Sequence, residues 1–173
     1  MAPSTKRISF LLVYLFAILF ARSPAHSDES IACQVKAIFP GTSKIGEALT
    51  KELNQAKKVV LIALYGFNNP ALAEELTKLA QRGVNVRVKV DTAKGAEKKE
   101  SKLMAMLKAA GVNVRTVAAD GRNHNKFAVV DDSTVITGSY NWTVKAESNF
   151  ENLLVLNCPD LAKRYTEEWQ AIR

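Results

Sequence analysis

Residues 59–65 read VVLIALY, and this continuous apolar run decides the fold. Such a run is typical of a strand that is buried on both faces of a sheet. Asn69 and Pro70 follow, and a cap residue before a first-position proline predicts a helix, which Gly83 ends. Residues 84–90 (VNVRVKV) then alternate between apolar and polar side chains, which predicts a strand with one polar face. A buried strand, a helix and a second strand in this order indicate an α/β structure.

The alternation of strands and helices continues in both directions from this unit. Further strands are predicted at residues 33–39, 112–117, 125–130, 134–137 and 152–156, and further helices at 43–56, 98–110 and 159–173. The charged stretch 91–102 is expected to form a mobile loop that runs into its helix. We therefore predict one α/β domain in which a mixed β-sheet is flanked by helices on both faces.

The N-terminal segment has the layout of a secretory signal peptide. Basic residues precede the apolar stretch 8–21, and small residues follow it. We place the cleavage after Ala25, with Ala21 and Ser27 as alternative sites. An uncleaved N-terminal anchor is the other interpretation, although the apolar stretch is shorter than the roughly 20 residues of a membrane span. The expectation is a signal peptide at 1–25, a domain at 26–173, a periplasmic or secreted protein, and no stable membrane association after cleavage.

Composition and cysteine usage fit an exported globular domain. With 47% hydrophobic residues, 8 glycines and 5 prolines, the chain is neither disordered nor collagen-like. The predicted signal peptide carries three basic residues and no acidic one, so its removal lowers the formal net charge from +7 to about +4. This basic excess favours a polyanionic partner, although an ordinary basic secreted protein would also carry it. Export would place Cys33 and Cys158 in an oxidising space, where they can form one disulfide. Two buried free thiols are the alternative.

His124 is the candidate for chemistry, because the other histidine after the signal, His26, lies next to the predicted cleavage site. His124 lies where a loop enters the predicted strand 125–130, and residues two apart on a strand share a face. His124 and Lys126 should therefore project together, and an imidazole beside an ammonium group suits an anionic substrate. Asp131 has the opposite parity, so we expect it to point away and to be a structural partner for a basic group.

A second polar group lies where the next predicted strand ends. Gly138 would permit a ligand to approach the backbone closely, while Ser139 and Asn141 share a face and offer neutral donors. Together with Lys126, these two side chains could form a small cup for phosphate oxygens. For this segment taken alone, a strand end followed by an ordinary turn is the alternative.

Together these residues read H-x-K-x4-D-x6-G-S-x-N, which resembles the signature of the phospholipase D superfamily. The motif residues are His124, Lys126, Asp131, Gly138, Ser139 and Asn141. The resemblance covers 26–173 as one repeat of the family, and the predicted α/β order suits the family's fold. A short chain, a secretory leader and a single motif make it most similar to the family's small bacterial endonucleases, which are nonspecific and resistant to EDTA.

The resemblance implies a role for each side chain. The family's histidine is the nucleophile and forms a phosphohistidine, so His124 takes that role, while Lys126 and Asn141 hold the phosphate. Ser139 is added to them from the cup inferred above. Asp131 and Gly138 belong to the structural part of the motif. No metal or other cofactor is implied.

A downstream glutamate orients the histidine in this family, and Glu151 is our candidate for it. Glu147 or a simple surface carboxylate is the alternative. Hydrolysis without metal also needs a proton for the leaving oxygen, which a second, protonated imidazole can supply. Because His124 is the one suitable histidine, two motifs must come from two chains. This predicts a twofold homodimer with the site on its axis.

The expected substrate is DNA, and RNA is an alternative substrate. Basic residues that could contact the phosphates of the nucleic acid are Lys89, Lys94, Arg122 and Lys145. The alternatives are a phospholipase D-type lipid phosphodiesterase and a non-catalytic nucleic-acid-binding protein. No His-x3-His or zinc-type cysteine pair supports a metal site. The sequence also lacks the second histidine of an HNH nuclease and the G-x-S-x-G of a serine hydrolase.

Overall fold

Seven strands in the described residues form one mixed sheet. The computed structural model describes residues 32–41, 44–117 and 121–173, so the predicted signal peptide at 1–25 and His26 lie outside the described residues. The strands are β1 (Gln34–Ile38), β2 (Val59–Leu64), β3 (Asn85–Asp91), β4 (Asn113–Val117), β5 (Lys126–Val130), β6 (Thr134–Gly138) and β7 (Leu153–Asn157). The helices are α1 (Ile45–Leu53), α2 (Pro70–Gln81), α3 (Thr92–Gly95), α4 (Lys98–Ala109) and α5 (Pro159–Ala171), with a 3₁₀ turn at Lys145–Ser148.

Strand β2 lies inside this sheet, as its apolar sequence predicts. The strand order is β1-β7-β6-β5-β2-β3-β4. Strands β2, β3 and β4 run parallel, whereas β5 is antiparallel to β2, and β6, β7 and β1 continue the antiparallel half. The predicted mixed sheet is therefore confirmed, and its parallel-to-antiparallel change falls between β2 and β5.

Alternate residues of β2 belong to two separate hydrophobic clusters, one on each face of the sheet. Val60, Ile62 and Leu64 join the cluster that contains the apolar residues of α1, α2 and α4. Leu61 and Ala63 join the cluster beneath α5. Side chains alternate between faces along a strand, so an unbroken apolar sequence supplies both clusters at once. Helices on both faces of the sheet are confirmed.

Most of the segment 91–102 belongs to two helices, α3 and the start of α4, so the expectation of a mobile loop there is wrong. Asp91 caps α3, because its Oδ1 accepts hydrogen bonds from the backbone N–H groups of Ala93 at 3.1 Å and Lys94 at 3.2 Å. Helix α4 then begins at Lys98. The charged composition reflects exposed helix surface, since a helix can leave most of its charged side chains in solvent while burying one stripe.

Lys89 is buried rather than exposed on the polar face predicted for its strand. Its Nζ donates to the carbonyl oxygens of Trp169 at 2.6 Å and Ile172 at 2.7 Å, and it lies 4.1 Å from the centroid of the Trp169 ring. Burial, together with the nearby charge of Arg115, lowers the pKa of Lys89. Lys89 thus binds the carbonyl end of α5 and is not available to contact phosphates, which corrects that expectation.

Cys33 and Cys158 form a disulfide that joins the residue before β1 to the N-cap of α5. Their Cα atoms are 5.1 Å apart, and the bond spans a sequence separation of 125. A loop of that length corresponds to a stabilisation on the order of 5 kcal/mol in the chain-entropy model. In the part of the chain that the structure describes, no helix has the length and apolar content needed to cross a membrane.

The hairpin between β5 and β6 depends on Asp131, whose partners differ from those predicted. Its carboxylate accepts backbone N–H bonds from Lys57 at 2.8 Å, Lys58 at 2.8 Å and Val59 at 3.0 Å. The partner is therefore the backbone that leads into β2, not a basic side chain, which corrects the prediction. Burial acts to raise the pKa of Asp131, but these bonds and the charge of Lys58 outweigh it, and the pKa is lowered.

Replacing Asp131 by asparagine should destabilise the fold by about 1–3 kcal/mol at neutral pH, because a neutral amide accepts these bonds less strongly. The wild-type contribution exists above the ordinary pKa of 3.8 and declines as pH falls through the lowered pKa. Urea denaturation at neutral pH and at pH about 3 measures both effects. Asp132→Asn, at the exposed neighbouring position with a similar positive φ, is the matched control. Equal stability of the two variants would contradict this assignment.

Candidate active site

The motif residues other than Asp131 meet at one edge of the sheet because four strands begin or end there. Leu64 at the end of β2 pairs with Lys126 at the start of β5, and Gly138 at the end of β6 pairs with Leu153 at the start of β7. Antiparallel pairing therefore brings the segments 124–126, 138–141 and 151–153 together, although they are separated in sequence. The parallel-to-antiparallel change between β2 and β5 adjoins the same edge.

His124 is exposed, and Lys126 contacts it from the first position of β5. The Lys126 Nζ lies 3.3 Å from His124 Nδ1 and donates to the His124 carbonyl oxygen at 2.8 Å. The Nε2 atom is thus the ring nitrogen not engaged by Lys126. Burial lowers the pKa of Lys126, and the nearby carboxylate of Glu151 acts in the opposite direction. The two motif side chains that sequence parity places together do contact each other.

Ser139 and Glu151 are connected by a hydrogen bond in which the serine hydroxyl donates to Glu151 Oε2. Asn149 Nδ2 donates to the other carboxylate oxygen at 3.0 Å, and the Asn152 backbone N–H donates to Ser139 Oγ at 3.0 Å. Among the described residues, neither bond of the Glu151 carboxylate goes to His124. Glu151 therefore belongs to this edge of the sheet, while its predicted contact with the imidazole is not made within one chain.

Glu147, the alternative carboxylate, faces a different environment. It accepts hydrogen bonds from the Tyr140 hydroxyl and from Asn69 Nδ2, the latter at 3.1 Å. A Cβ atom on Gly46 of α1 would lie 2.1 Å from Glu147 Oε1, so the carboxylate packs directly against that helix. Burial and the Glu147 carboxylate both raise the pKa of Tyr140. Of the two carboxylates, Glu151 is the one that contacts the motif residue Ser139.

Gly138 is required by the protein's own backbone, a reason that the sequence did not reveal. Its φ is +153°, and a Cβ at this position would lie 2.2 Å from the Asn152 carbonyl oxygen. A side chain would therefore separate the ends of β6 and β7 at the point where Ser139 and Glu151 meet.

The Asn141 amide has a buried oxygen, Oδ1, that has no hydrogen-bond partner among the described residues. It lies beside Gly66, where a Cβ atom would be 3.8 Å from Oδ1. Buried polar atoms are nearly always paired, so an unpaired one marks a position that packing alone does not explain. Because this oxygen is an acceptor, only the Nδ2 atom of the Asn141 amide could donate to a phosphate oxygen.

Tyr65 is a site residue that sequence reasoning missed. Its ring lies 4.4 Å from the His124 ring, centroid to centroid, and its hydroxyl accepts a hydrogen bond from Arg122 Nη1 at 2.6 Å. Lys94 and Lys126 each place Nζ 5.5 Å from the ring centroid, and the Arg122 guanidinium carbon lies at 5.9 Å. The sequence did offer one indication of its role, because Tyr65 ends the apolar run VVLIALY and is the residue of that run whose side chain carries a polar group.

The four basic residues that were predicted to contact phosphates do not all lie near His124. Lys94 and Arg122 lie at the Tyr65 ring beside His124, whereas Lys89 lies under α5. Lys145 is exposed on the 3₁₀ turn. Within residues 32–41, 44–117 and 121–173, no group of three or more histidine, cysteine, aspartate or glutamate side chains is arranged to hold a metal ion.

Comparisons with known proteins agree with this geometry. The family model described as "Cardiolipin synthase, PLD-like domain" matches residues 49–173. A mitochondrial cardiolipin hydrolase of Xenopus laevis is 34% identical over 163 residues, covering 90% of this chain and 75% of the relative. A phospholipase D of Rickettsia felis is 28% identical over 143 residues, covering 82% and 70%.

A solved structure shows the same fold. Nuc from Salmonella typhimurium, a phospholipase D family member, superposes with a TM-score of 0.77 at 27% identity, covering 82% of this chain and 94% of that one. The family predicted from the motif, and its α/β fold with one repeat per chain, are confirmed. The chain belongs to the phospholipase D superfamily of phosphodiesterases.

Proposed function

We propose that the chain is a metal-independent, sequence-nonspecific endonuclease that hydrolyses DNA phosphodiester bonds in the periplasm or outside the cell. The observation that carries the proposal is the exposed His124 imidazole beside the Lys126 ammonium group. Attack through Nε2 requires the neutral tautomer with its proton on Nδ1, so Lys126 then donates to the His124 carbonyl oxygen and not to the ring. Lys126 and Asn141 supply donors for the phosphate oxygens at the same edge of the sheet. Ser139 lies beside them, but its hydroxyl donates to Glu151 and would have to leave that carboxylate to bind a phosphate.

The reaction has two displacements at phosphorus. In the first, Nε2 of His124 bonds to phosphorus, the bond to the leaving oxygen breaks, and a second imidazolium donates a proton to that oxygen. In the second, the imidazole that donated its proton takes a proton from water, the water oxygen bonds to phosphorus, and the bond between phosphorus and His124 Nε2 breaks. Histidine suits both roles, because an imidazole can act as a nucleophile or base and an imidazolium can donate a proton.

The second imidazole is proposed to come from a second copy of the chain. His124 and His26 are the two histidines of the sequence, and His26 falls next to the proposed cleavage site. A twofold axis at the site would pair two His124 side chains across one phosphate. Glu151, which is bonded to Ser139 and Asn149 in its own chain, is then proposed to orient the imidazole of the other copy.

DNA is favoured as the substrate by the cations beside the nucleophile. Lys94 and Arg122 lie with Lys126 around the Tyr65 ring, so they place further positive charge beside His124 that a polyanionic strand could use. The structural similarity to Nuc also favours DNA as the substrate, and it covers 94% of that chain. The second candidate is a lipid phosphodiesterase, because relatives at 34% and 28% identity are named cardiolipin hydrolase and phospholipase D.

Purified chain 26–173 should degrade supercoiled plasmid in millimolar EDTA and should turn over cardiolipin vesicles far more slowly. Gel analysis of the plasmid and release of phosphatidic acid measure the two rates, and a His124→Asn preparation controls for contaminating nuclease. Loss of plasmid cleavage on chelation, with recovery on addition of Mg²⁺ or Zn²⁺, would contradict the metal-independent mechanism. Faster turnover of cardiolipin than of DNA would favour the lipid candidate.

A further inference from the structure

We propose that Tyr65 is a positioning residue whose ring supports the His124 imidazole and whose hydroxyl holds Arg122 ready for a second phosphate of the substrate strand. This inference rests on the proposed function. It assigns a role to a residue outside the H-x-K-x4-D-x6-G-S-x-N motif. Tyr65 follows the last residue of β2, and its backbone N–H donates to the Asn125 carbonyl oxygen at 2.8 Å. Its ring is thereby fixed next to the segment that carries His124.

The first role follows from the contact between two rings. The Tyr65 and His124 centroids are 4.4 Å apart with an interplanar angle of 48°. An exposed imidazole can rotate freely unless neighbouring groups restrict it, and a nucleophile must be held close to its in-line attack position. The Tyr65 ring packs against the imidazole, while the Lys126 Nζ lies 3.3 Å from Nδ1. Together these contacts restrict the ring, and the Lys126 contact is at Nδ1 rather than at Nε2.

The second role follows from the charges around the same ring. Lys94 is ion-paired with Glu97 at 2.6 Å, and Lys126 is bonded to the His124 carbonyl oxygen. The described contacts of Arg122 instead include the neutral Tyr65 hydroxyl, and none of the ion pairs in the described residues involves Arg122. A neutral acceptor fixes a guanidinium without cancelling its charge, and the remaining N–H groups suit a phosphate.

These two contacts predict that the effect of replacing Tyr65 differs between substrates with several phosphates and substrates with one. Arg122 and Lys126 lie around one ring, so a strand whose scissile phosphate is held by Lys126 can place a neighbouring phosphate at Arg122. A small diester with a single phosphate can use His124 and Lys126 but has nothing to present to Arg122. The hydroxyl should therefore matter more for DNA than for the small diester, whereas the ring should matter for both.

Tyr65→Phe and Tyr65→Leu separate the two roles, with a DNA oligonucleotide and bis(p-nitrophenyl) phosphate as substrates. Tyr65→Phe keeps the ring, so we expect KM for DNA to rise about 3- to 10-fold with kcat near the wild-type value and a smaller change on the small diester. The slope of log KM against log salt should weaken by about one phosphate contact. Tyr65→Leu should lower kcat on both substrates.

Arg122→Gln and Lys163→Gln supply the controls. If the hydroxyl acts through Arg122, adding Tyr65→Phe to Arg122→Gln should leave KM for DNA as it is in Arg122→Gln alone. Replacing Lys163, which is exposed on α5, removes a positive charge elsewhere and should leave the Tyr65→Phe effect unchanged. Melting temperatures identify any variant that fails to fold, and Tyr65→Phe, which keeps the ring, decides the inference if Tyr65→Leu does not fold.

Two results would overturn this inference while leaving the proposed function intact. One is a wild-type chain that cleaves DNA while Tyr65→Phe has unchanged KM and salt slope. The other is a Tyr65→Phe effect that adds fully to that of Arg122→Gln, since the hydroxyl would then act independently of the guanidinium. A wild-type chain that does not cleave DNA would instead overturn the proposed function itself.

Discussion

A His124→Asn variant is expected to hydrolyse DNA at least about 10,000-fold more slowly than the wild-type chain. The substitution removes the atom that attacks phosphorus and the group that transfers protons, and both losses fall on the same steps. Asparagine keeps a polar side chain of similar reach. His124 is exposed, so the core should not be disturbed. Single-turnover cleavage of a labelled oligonucleotide in EDTA measures the effect.

Binding should survive this substitution, because Lys126, Lys94 and Arg122 remain. We expect the Kd for a labelled oligonucleotide, measured by fluorescence anisotropy, to stay within about threefold of the wild-type value. Asp132→Asn, in the turn at the far end of β5, is the matched control and should cleave DNA at the wild-type rate. A His124→Asn variant that keeps a measurable fraction of turnover above background would show that another group attacks phosphorus.

Local sequence patterns predict the elements of this fold well. The run 59–65 becomes β2, and the Asn69-Pro70 start of α2 is correct, since the Asn69 side chain accepts a hydrogen bond from the Ala71 N–H at 3.0 Å. Both signals depend on residues close in sequence. The segment 91–102 shows the weakness of composition as a signal, because exposed helix and loop share the same charged residues.

Contacts between distant segments could not be predicted from such patterns. Lys89 alternates like an exposed strand residue, but the end of α5, 80 or more residues later, returns across it. Gly138 is needed because β7 brings the Asn152 carbonyl oxygen against it. Asp131 binds backbone N–H groups more than 70 residues earlier. In each case the partner depends on how segments that are distant in sequence pack together.

The candidate site follows the same division between local and distant contacts. Parity on one strand correctly places Lys126 beside His124, because both lie within three residues. Tyr65 was missed because it reaches His124 only through the pairing of β2 with β5. The Glu151 contact with Ser139 likewise requires β6 and β7 to be neighbours. A motif thus identifies chemical groups, while the sheet determines which other residues surround them.

A mixed dimer with one intact His124 is expected to be nearly inactive, because each shared site draws one imidazole from each chain. In the proposed mechanism one imidazole attacks phosphorus while the other protonates the leaving oxygen, so losing either should stop turnover. The mixed dimer should therefore fall far below half of the wild-type rate. The effect should be nearly as large as that of the doubly substituted dimer, since groups acting as a unit are not additive.

The central claim, one site shared by two copies, is tested most directly by the turnover of this mixed dimer. Wild-type and His124→Asn chains with different tags are co-expressed, and the mixed dimer is isolated by sequential affinity steps. A wild-type dimer carrying the same two tags is the control, and tag ratios before and after the assay detect exchange of subunits. We predict turnover of a few per cent or less of that control. Turnover near half of the control would show that each chain has its own complete site and would contradict the account.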